Sequence, residues 1–324
     1  MRHPILSAAL LLAAALVAQG AAAQAWPAAR PVRVIVPYPA GGATDIAARA
    51  FARSMGKRLN QTFVVDNKGG AGGAIGLEAA AASAPDGYTV IVGTAGNYAV
   101  NPHILKQVKY DVEKSFAPVC LMALAPVALF ANPALPANNL SELVAWSKAN
   151  PGKLNFSTDG QATIPHIGGE YLKLITGVDM THVPYKGSAS ATQAALAGDT
   201  QLALTGVANA IPHVRAGKLK LIGVAGTRRL TLFPNTPTLI EQGAKGFDLG
   251  SWFAMFAPAG TDAAVIGQMA KACRDTAAEP EIQETLAGAA LEVMTGTPEQ
   301  LRDKLHDDLK RWGEMVTSSG VKAE

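Results

Sequence analysis

Apolar positions along the chain follow two rhythms. Short runs that are apolar almost throughout alternate with stretches where apolar residues recur every three or four positions. Val32 to Val36 is the first run, and such a run bounded by turn residues reads as a strand buried on both faces. From about Asp45 to Leu59, Ala47, Phe51, Met55 and Leu59 recur four apart and mark the buried stripe of a helix. Arg49, Arg53 and Lys57 form a separate, solvated stripe on it. Phe63 to Asn67 and Tyr88 to Gly93 are further strands, with a helix ending near Ala84 between them. Strand, helix, strand, helix, strand predicts an α/β fold with a parallel sheet.

Phe116 to Phe130 reads as one long strand, broken off by Pro133 and Pro136. Asn139 and Glu142 are spaced like a capping box, so a helix is expected from Leu140 to Ala149, ended by Asn150-Pro151-Gly152-Lys153. Leu154 to Phe156 is a new strand; it opens into a polar loop, Ser157 to Thr163, ahead of a helix from Pro165 to Thr176. Alternation continues through Val183 to Gly187, a helix over Ser190 to Ala197, a strand over Gln201 to Leu204, then Val214 to Gly217 and Leu219 to Val224. Phe247 to Phe256 is the second long apolar run, with only helices expected beyond it; Leu301, Leu305, Leu309, Trp312 and Val316 stripe the last of them. The two long runs are natural crossings between two α/β domains. The expected division is 26–129 with 250–324 as the first, discontinuous domain and 130–249 as the second. One loop from each would face the other across a hinged cleft.

Composition narrows the function. Aromatic content is 6% and the formal charge is +3 over 324 residues, too small and dispersed for a nucleic-acid or membrane-surface footprint. Residues 1–25 read as a signal peptide: Arg2 and His3, an apolar stretch from Ile5 to Val17, then Ala21-Ala22-Ala23 and Ala23-Gln24-Ala25 as cleavage sites. That stretch is short of the ~20 residues a membrane span needs, so an exported chain, not itself membrane-embedded, is expected. Cys120 and Cys273 are expected to be two small buried thiols rather than a bridge, since disulfide geometry is strict. No metal or redox spacing is present.

The candidate chemistry centres on Tyr38-Pro39-Ala40-Gly41-Gly42-Ala43-Thr44-Asp45, between the first strand and first helix. Both glycines can take positive φ and admit close approach to the main chain. Thr44 is the expected N-cap, and Asp45 in the first turn complements the helix dipole. Free backbone N–H groups at such a turn make an anion site without a cationic side chain. Gly70-x-Gly72-x-x-x-Gly76 approaches a dinucleotide-binding turn, but its spacing departs from that motif; close helix–sheet packing or a second ligand-facing loop is the expected reading. Ser157 and His166 could pair as nucleophile and base, yet no G-x-S-x-G elbow is present and His166 sits behind a proline in a helix. Hydrogen bonding of His166 to the loop is expected instead. His166 and Glu170 are half a metal site without the other half, and Arg228-Arg229 reads as a surface turn.

An ordered set of motifs then resembles the Bordetella-uptake-gene (Bug) solute receptors of tripartite tricarboxylate transporters. It comprises Val36-Pro37-Tyr38-Pro39-Ala40-Gly41-Gly42 with Thr44-Asp45, Asp66-Asn67-x-x-Gly70-Ala71-Gly72-Gly73, Asn101-Pro102, Asn150-Pro151-Gly152-Lys153, and His182-Val183-Pro184-Tyr185-Lys186-Gly187. Arg228-Arg229, Pro237-Thr238, Gly243, Ser251-Trp252 and Ala257-Pro258-Ala259-Gly260 complete it. The resemblance implies a two-domain type II periplasmic-binding-protein fold with a ligand cleft between the domains, no catalysis and no cofactor. It implies a small organic carboxylate held by Tyr38, Gly41, Gly42, Ala43, Thr44 and Asp45 on one side and by Ser157, Thr158, Gly160, Thr163 and His166 on the other. Thr94 and Tyr185 would be wall residues. The partners implied are the large and small membrane subunits of a transporter, with a periplasmic sensor ectodomain as the alternative and a hydrolase as the remote one. Ala162, where the family often has glycine, and Gln201, where it often has aspartate, are departures.

Overall fold

β1 (Val32–Val36) is buried on both faces because a helix covers each. Val32, Val34 and Val36 pack with Phe51 and Met55 of α1 (Ala43–Leu59), whereas Ile35 points the other way. β2 (Phe63–Asn67) follows, then α2 (Ala74–Ala81), whose Leu77 meets Ile35. β3 (Thr89–Thr94) leads into a π-helical turn and the short α3 (Asn101–Ile104). This computed structural model describes residues 26–27, 30–105 and 108–321; the expected signal peptide lies outside the described residues.

The long run expected as one strand divides at Pro126, which has no N–H to continue a ladder. β4 (Phe116–Ala125) ends in one sheet and β5 (Val127–Ala131) begins the other. α4 (Leu140–Ala149) starts at the Asn139 cap, whose side chain accepts from the Glu142 N–H. Next come β6 (Asn155–Thr158), α5 (Ile164–Thr176), β7 (Thr181–Pro184), α6 (Ser188–Ala197), β8 (Leu202–Gly206), α7 (Val207–Arg215) and β9 (Lys220–Val224). α7 is not among the expected helices; Pro212 lies inside it. β10 (Ser251–Pro258), α8 (Ala263–Ala277) and α9 (Pro280–Gly288) return to the first sheet. β11 (Glu292–Val293), which the expectation of helices alone missed, pairs antiparallel with β4. α10 (Pro298–Ser319) opens on a Thr297–Gln300 capping box.

The first sheet has the order β11-β4-β10-β3-β1-β2 and the second β7-β6-β8-β5-β9. β1, β2 and β3 are parallel, as are β6, β7 and β8; β10 runs antiparallel to β3, and β5 to β8. Phe253 of β10 is opposite Thr94 at the end of β3, and Val127 of β5 is opposite Gly206 at the end of β8. The carboxyl ends of both parallel sets therefore meet at the one-residue crossing. α10 serves both cores: Leu301 and Leu305 pack with Tyr98 and Trp252, while Trp312, Met315 and Val316 pack with Leu129, Phe156 and Ile167.

Cys120 and Cys273 form a disulfide, correcting the expectation of two unpaired thiols. β4 and α8 pack in one core and bring the two Cα atoms to 6.5 Å across 153 residues of sequence, a proximity that spacing alone does not reveal.

Candidate functional site

In open α/β sheets ligands sit beyond the carboxyl ends of strands. Here those ends carry the loop after β1 on one side of the junction and the loop after β6, with that after β7, on the other. The first loop is organised by Asp45. Its buried carboxylate accepts from the Gly41 N–H (2.9 Å), the Asn67 amide (2.9 Å) and Arg49 Nε (2.9 Å). Burial pushes this carboxyl up, but the hydrogen bonds from Arg49, Gly41 and Asn67 outweigh it and hold it below the ordinary aspartate range. Gly41 has φ of +86°, so glycine is required there. Two expectations change. Gly42 is an extended N-cap residue, φ −78°, and not a second positive-φ position. Thr44 is not the cap: α1 starts one residue before it, and it lies buried in the first turn. No side chain caps α1, so first-turn N–H groups at Ala43 and Thr44 face the exposed Gly41-Gly42 turn.

Tyr38 and Thr94 belong to one chain of hydrogen bonds. The Thr94 N–H donates to Asn97 Oδ1 (2.9 Å), which fixes the amide so that Nδ2 donates to the Gly72 carbonyl (3.0 Å). The Thr94 hydroxyl donates to the same Oδ1 (3.2 Å), so Tyr38 donates its proton to Thr94 Oγ1 (3.0 Å). Burial pushes the Tyr38 phenol up, with the bonds to Thr94 and Asn97 opposing it. The glycine-rich turn supports this chain from behind: a Cβ at Gly73 or Gly76 would run into Pro37 at 3.2 and 2.8 Å. Close packing accounts for those glycines.

The second loop is built on two histidines. The Thr163 side chain caps α5 by accepting from the His166 N–H (3.4 Å) and donates to the Gly160 carbonyl (2.9 Å). His166 Nδ1 accepts from the Ala162 N–H (3.0 Å), bearing out the loop bond expected of this residue. That bond holds Ala162 at φ +55°, the left-handed region where glycine is the usual occupant. His182 of β7 stacks on His166 at 3.8 Å, and its Nε2 lies 2.6 Å from Thr158 Oγ1. Tyr185 is half-buried and its N–H donates to the Thr158 carbonyl (3.1 Å). Gly160 sits between Thr163 and the Tyr185 carbonyl. Ser157 points elsewhere: its fully buried hydroxyl donates to the carbonyls of Ala191 and Leu202, so it is paired with neither His166 nor the cleft. Arg229 is on the surface, paired with Glu241. The structure thus unites Tyr38, Gly41, Gly42, Ala43, Thr44, Asp45 and Thr94 at one set of strand ends. Thr158, Gly160, Thr163, His166 and Tyr185 come together at the other. Asn67, Asn97, Asp159 and His182 are site-shaping residues that the sequence reading left out, although Asn67 and His182 stood within quoted motifs.

Burial lowers the His182 pKa to about 4, aided by the facing His166 and by Lys173. Burial also lowers that of His166, with Glu170 opposing and Lys173 adding to the shift. Both rings are therefore neutral at neutral pH. The unfolded chain takes up these protons first, near the ordinary histidine value of ~6.5. Stability is therefore expected to fall as pH drops from about 6.5 towards 4. Melting temperatures across that range check this, and His182→Gln should flatten the fall. An unchanged slope in the variant would remove the histidine pair as its cause.

A separate cavity of about 290 Å³ lies at the crossing, lined by Pro126, Val224, Arg228, Glu292 and Lys304 among others. β9 and β11 are on the sheet edges opposite those of β7 and β2, so this space is distinct from the two loops.

Residues 47–321 match the family described as the tripartite tricarboxylate transporter family receptor. The chain belongs to this family. BugT of Bordetella pertussis is 33% identical over 97% of this chain and 96% of its own. Among solved structures, the periplasmic binding protein BugD is 34% identical with a TM-score of 0.71, over 91% of this receptor and 99% of BugD. MatC from Rhodopseudomonas palustris, solved with bound malate, is 30% identical with a TM-score of 0.70, over 89% of this receptor and 99% of MatC. R. palustris Rpa4515, solved with adipate, is 29% identical with a TM-score of 0.75, over 92% and 99%. The receptor thus has the two-domain α/β fold of periplasmic binding proteins, and its family is one of solute receptors rather than enzymes.

Proposed function

We propose that this periplasmic solute-binding receptor captures a small organic carboxylate between its two loops and delivers it to the large and small membrane subunits of a tripartite transporter. The feature that supports the reading is the uncapped α1 N-terminus beside Gly41, with the histidine-supported second loop at the other set of strand ends next to the crossing. Malate and adipate in two relatives agree with a carboxylate. Tyr38, Gly41, Gly42, Ala43, Thr44, Asp45 and Thr94 form the first wall of the proposed site. Thr158, Gly160, Thr163, His166 and Tyr185 form the second, with Ser157 holding the strand beneath it. Residues 1–25 direct export, and the domains divide as 26–129 with 250–324 and 130–249.

A thermal-shift panel of mono-, di- and tricarboxylates tests the reading. A ligand at 100 times its Kd adds about 2.7 kcal/mol to folded-state stability. No stabilisation by any carboxylate would overturn it. Loss of uptake of the selected acid on deletion of this receptor tests delivery. Gly41→Val is expected to weaken binding at least tenfold, because a β-branched residue resists φ of +86° and the turn must rearrange. Calorimetric titration is the check; binding within twofold of wild type would move the carboxylate to the second loop.

A further inference from the structure

Two aspartates stand at the proposed cleft, and their surroundings differ. Asp45 is fully engaged by three donors, one of them a guanidinium. Asp159 follows β6 directly, inside the second loop. One of its oxygens, Oδ1, accepts the hydroxyl of the buried Thr205 at the end of β8. Its main-chain carbonyl accepts from the Gly187 N–H (3.0 Å), fixing the residue between the ends of β7 and β8. The other carboxylate oxygen, Oδ2, has no partner among the described residues and is not among the sealed unpaired atoms, so solvent reaches it. Asp159 enters no ion pair among the described residues. Burial pushes this carboxyl up, with the Thr205 hydrogen bond opposing it.

A half-buried carboxylate beside an anion site repels the anion unless something neutralises it. Among the described residues the protein supplies one hydroxyl and no cation. A donor on the ligand supplies the rest. We propose that Asp159 makes this receptor selective for carboxylates that also carry a hydrogen-bond donor, with an ammonium favoured over a hydroxyl and a hydroxyl over none. The inference rests on the carboxylate-receptor reading above and names the class within it. An ammonium bonds to Oδ2 as a charge-assisted donor while its own carboxylate meets the α1 N-terminus, so the two ends of one small zwitterion satisfy both walls.

The test is calorimetric titration at pH 7 with sets matched in carbon skeleton: succinate, malate and aspartate; adipate and 2-aminoadipate. In wild type the amino member of each set is expected to bind at least tenfold more tightly than the plain diacid, with malate between succinate and aspartate. Asp159→Asn keeps the shape and Thr205 contact but removes the charge. It should cost the amino members tenfold or more and leave the plain diacids equal or tighter. Wild-type preference for the plain diacids, or an order unchanged in Asp159→Asn, overturns the inference while leaving the receptor reading intact. Diacid binding that tightens as pH falls in wild type but not in the variant would make Asp159 a proton donor and overturn it as well. Absence of binding by every compound would strike the receptor reading itself. The wild-type order needs no variant, so the proposal stands or falls even if Asp159→Asn folds poorly.

Discussion

Asp45→Ala is expected to abolish ligand capture at concentrations that saturate the wild type, and to lower stability by about 3 kcal/mol. The carboxylate is 4% exposed and is the common acceptor for Gly41, Asn67 and Arg49. Without it, the Gly41 N–H and the Asn67 amide lose a bond in a half-buried setting, at about 1–3 kcal/mol for each group left unsatisfied. Arg49 is 48% exposed and regains water, so its loss adds little. Asn67 also donates to the Tyr38 carbonyl (3.0 Å), so the disturbance reaches the far end of the loop. The turn that aims the α1 N–H groups then has nothing holding its φ. Asp45→Asn retains an acceptor and should show a smaller loss on both counts. Calorimetric titration with the acid chosen by thermal shift, together with urea unfolding, measures the two effects. Full-strength binding by Asp45→Ala would show that the first loop keeps its shape without this carboxylate, or that it holds no ligand.

Replacing both Cys120 and Cys273 by alanine is expected to cost about 4 kcal/mol of unfolding free energy while leaving ligand affinity within threefold. A crosslink closing a loop of 153 residues restricts the unfolded chain strongly; the chain-entropy estimate for loops of ~100 residues is near 5 kcal/mol, and measured values centre on about 2–4. Both sulfurs are fully buried among Val119, Met122 and Met269, so the alanines also leave small voids. Neither residue belongs to the loops that form the proposed site. Urea unfolding of the double variant, with mass spectrometry of the alkylated wild type, is the check. Two alkylated thiols in native exported protein would sink the prediction.

Local signals in the sequence carried the scaffold. β1 was legible because an unbroken apolar run must be covered on both faces, and Phe51 and Met55 supplied one cover at helical spacing. Asn139 and Glu142 announced a helix start: the Asn139 side chain accepts from the Glu142 N–H as expected, but the Glu142 carboxylate takes the Asn139 side-chain amide and the Asn138 N–H in place of the backbone bond of a capping box. Pro126 hid the division of the long run, since Phe116 to Phe130 reads as one strand unless the crossing is known. Most of the missed contacts join residues far apart in sequence. His182 reaches Thr158 and His166 because β6 and β7 are parallel with Phe156 opposite His182, and register is not written in either strand alone. Asp159 meets Thr205 by the same route across β8. The local errors were errors of one or two residues: the α1 start, which moved the cap from Thr44 to Gly42, and the hydroxyl of Ser157, which turns into the core.

The long C-terminal helix has a consequence for the order of assembly. A chain delivered amino end first presents β1 to β9 before the segment that finishes either core. Leu301 and Leu305 complete the first, Trp312 and Met315 the second, and Asp308 between them binds Trp252 of β10 at 2.6 Å. Cys120 likewise waits for a partner that emerges after the whole second sheet. Neither core is complete without the last helix, so the final packing of both halves depends on the same C-terminal segment.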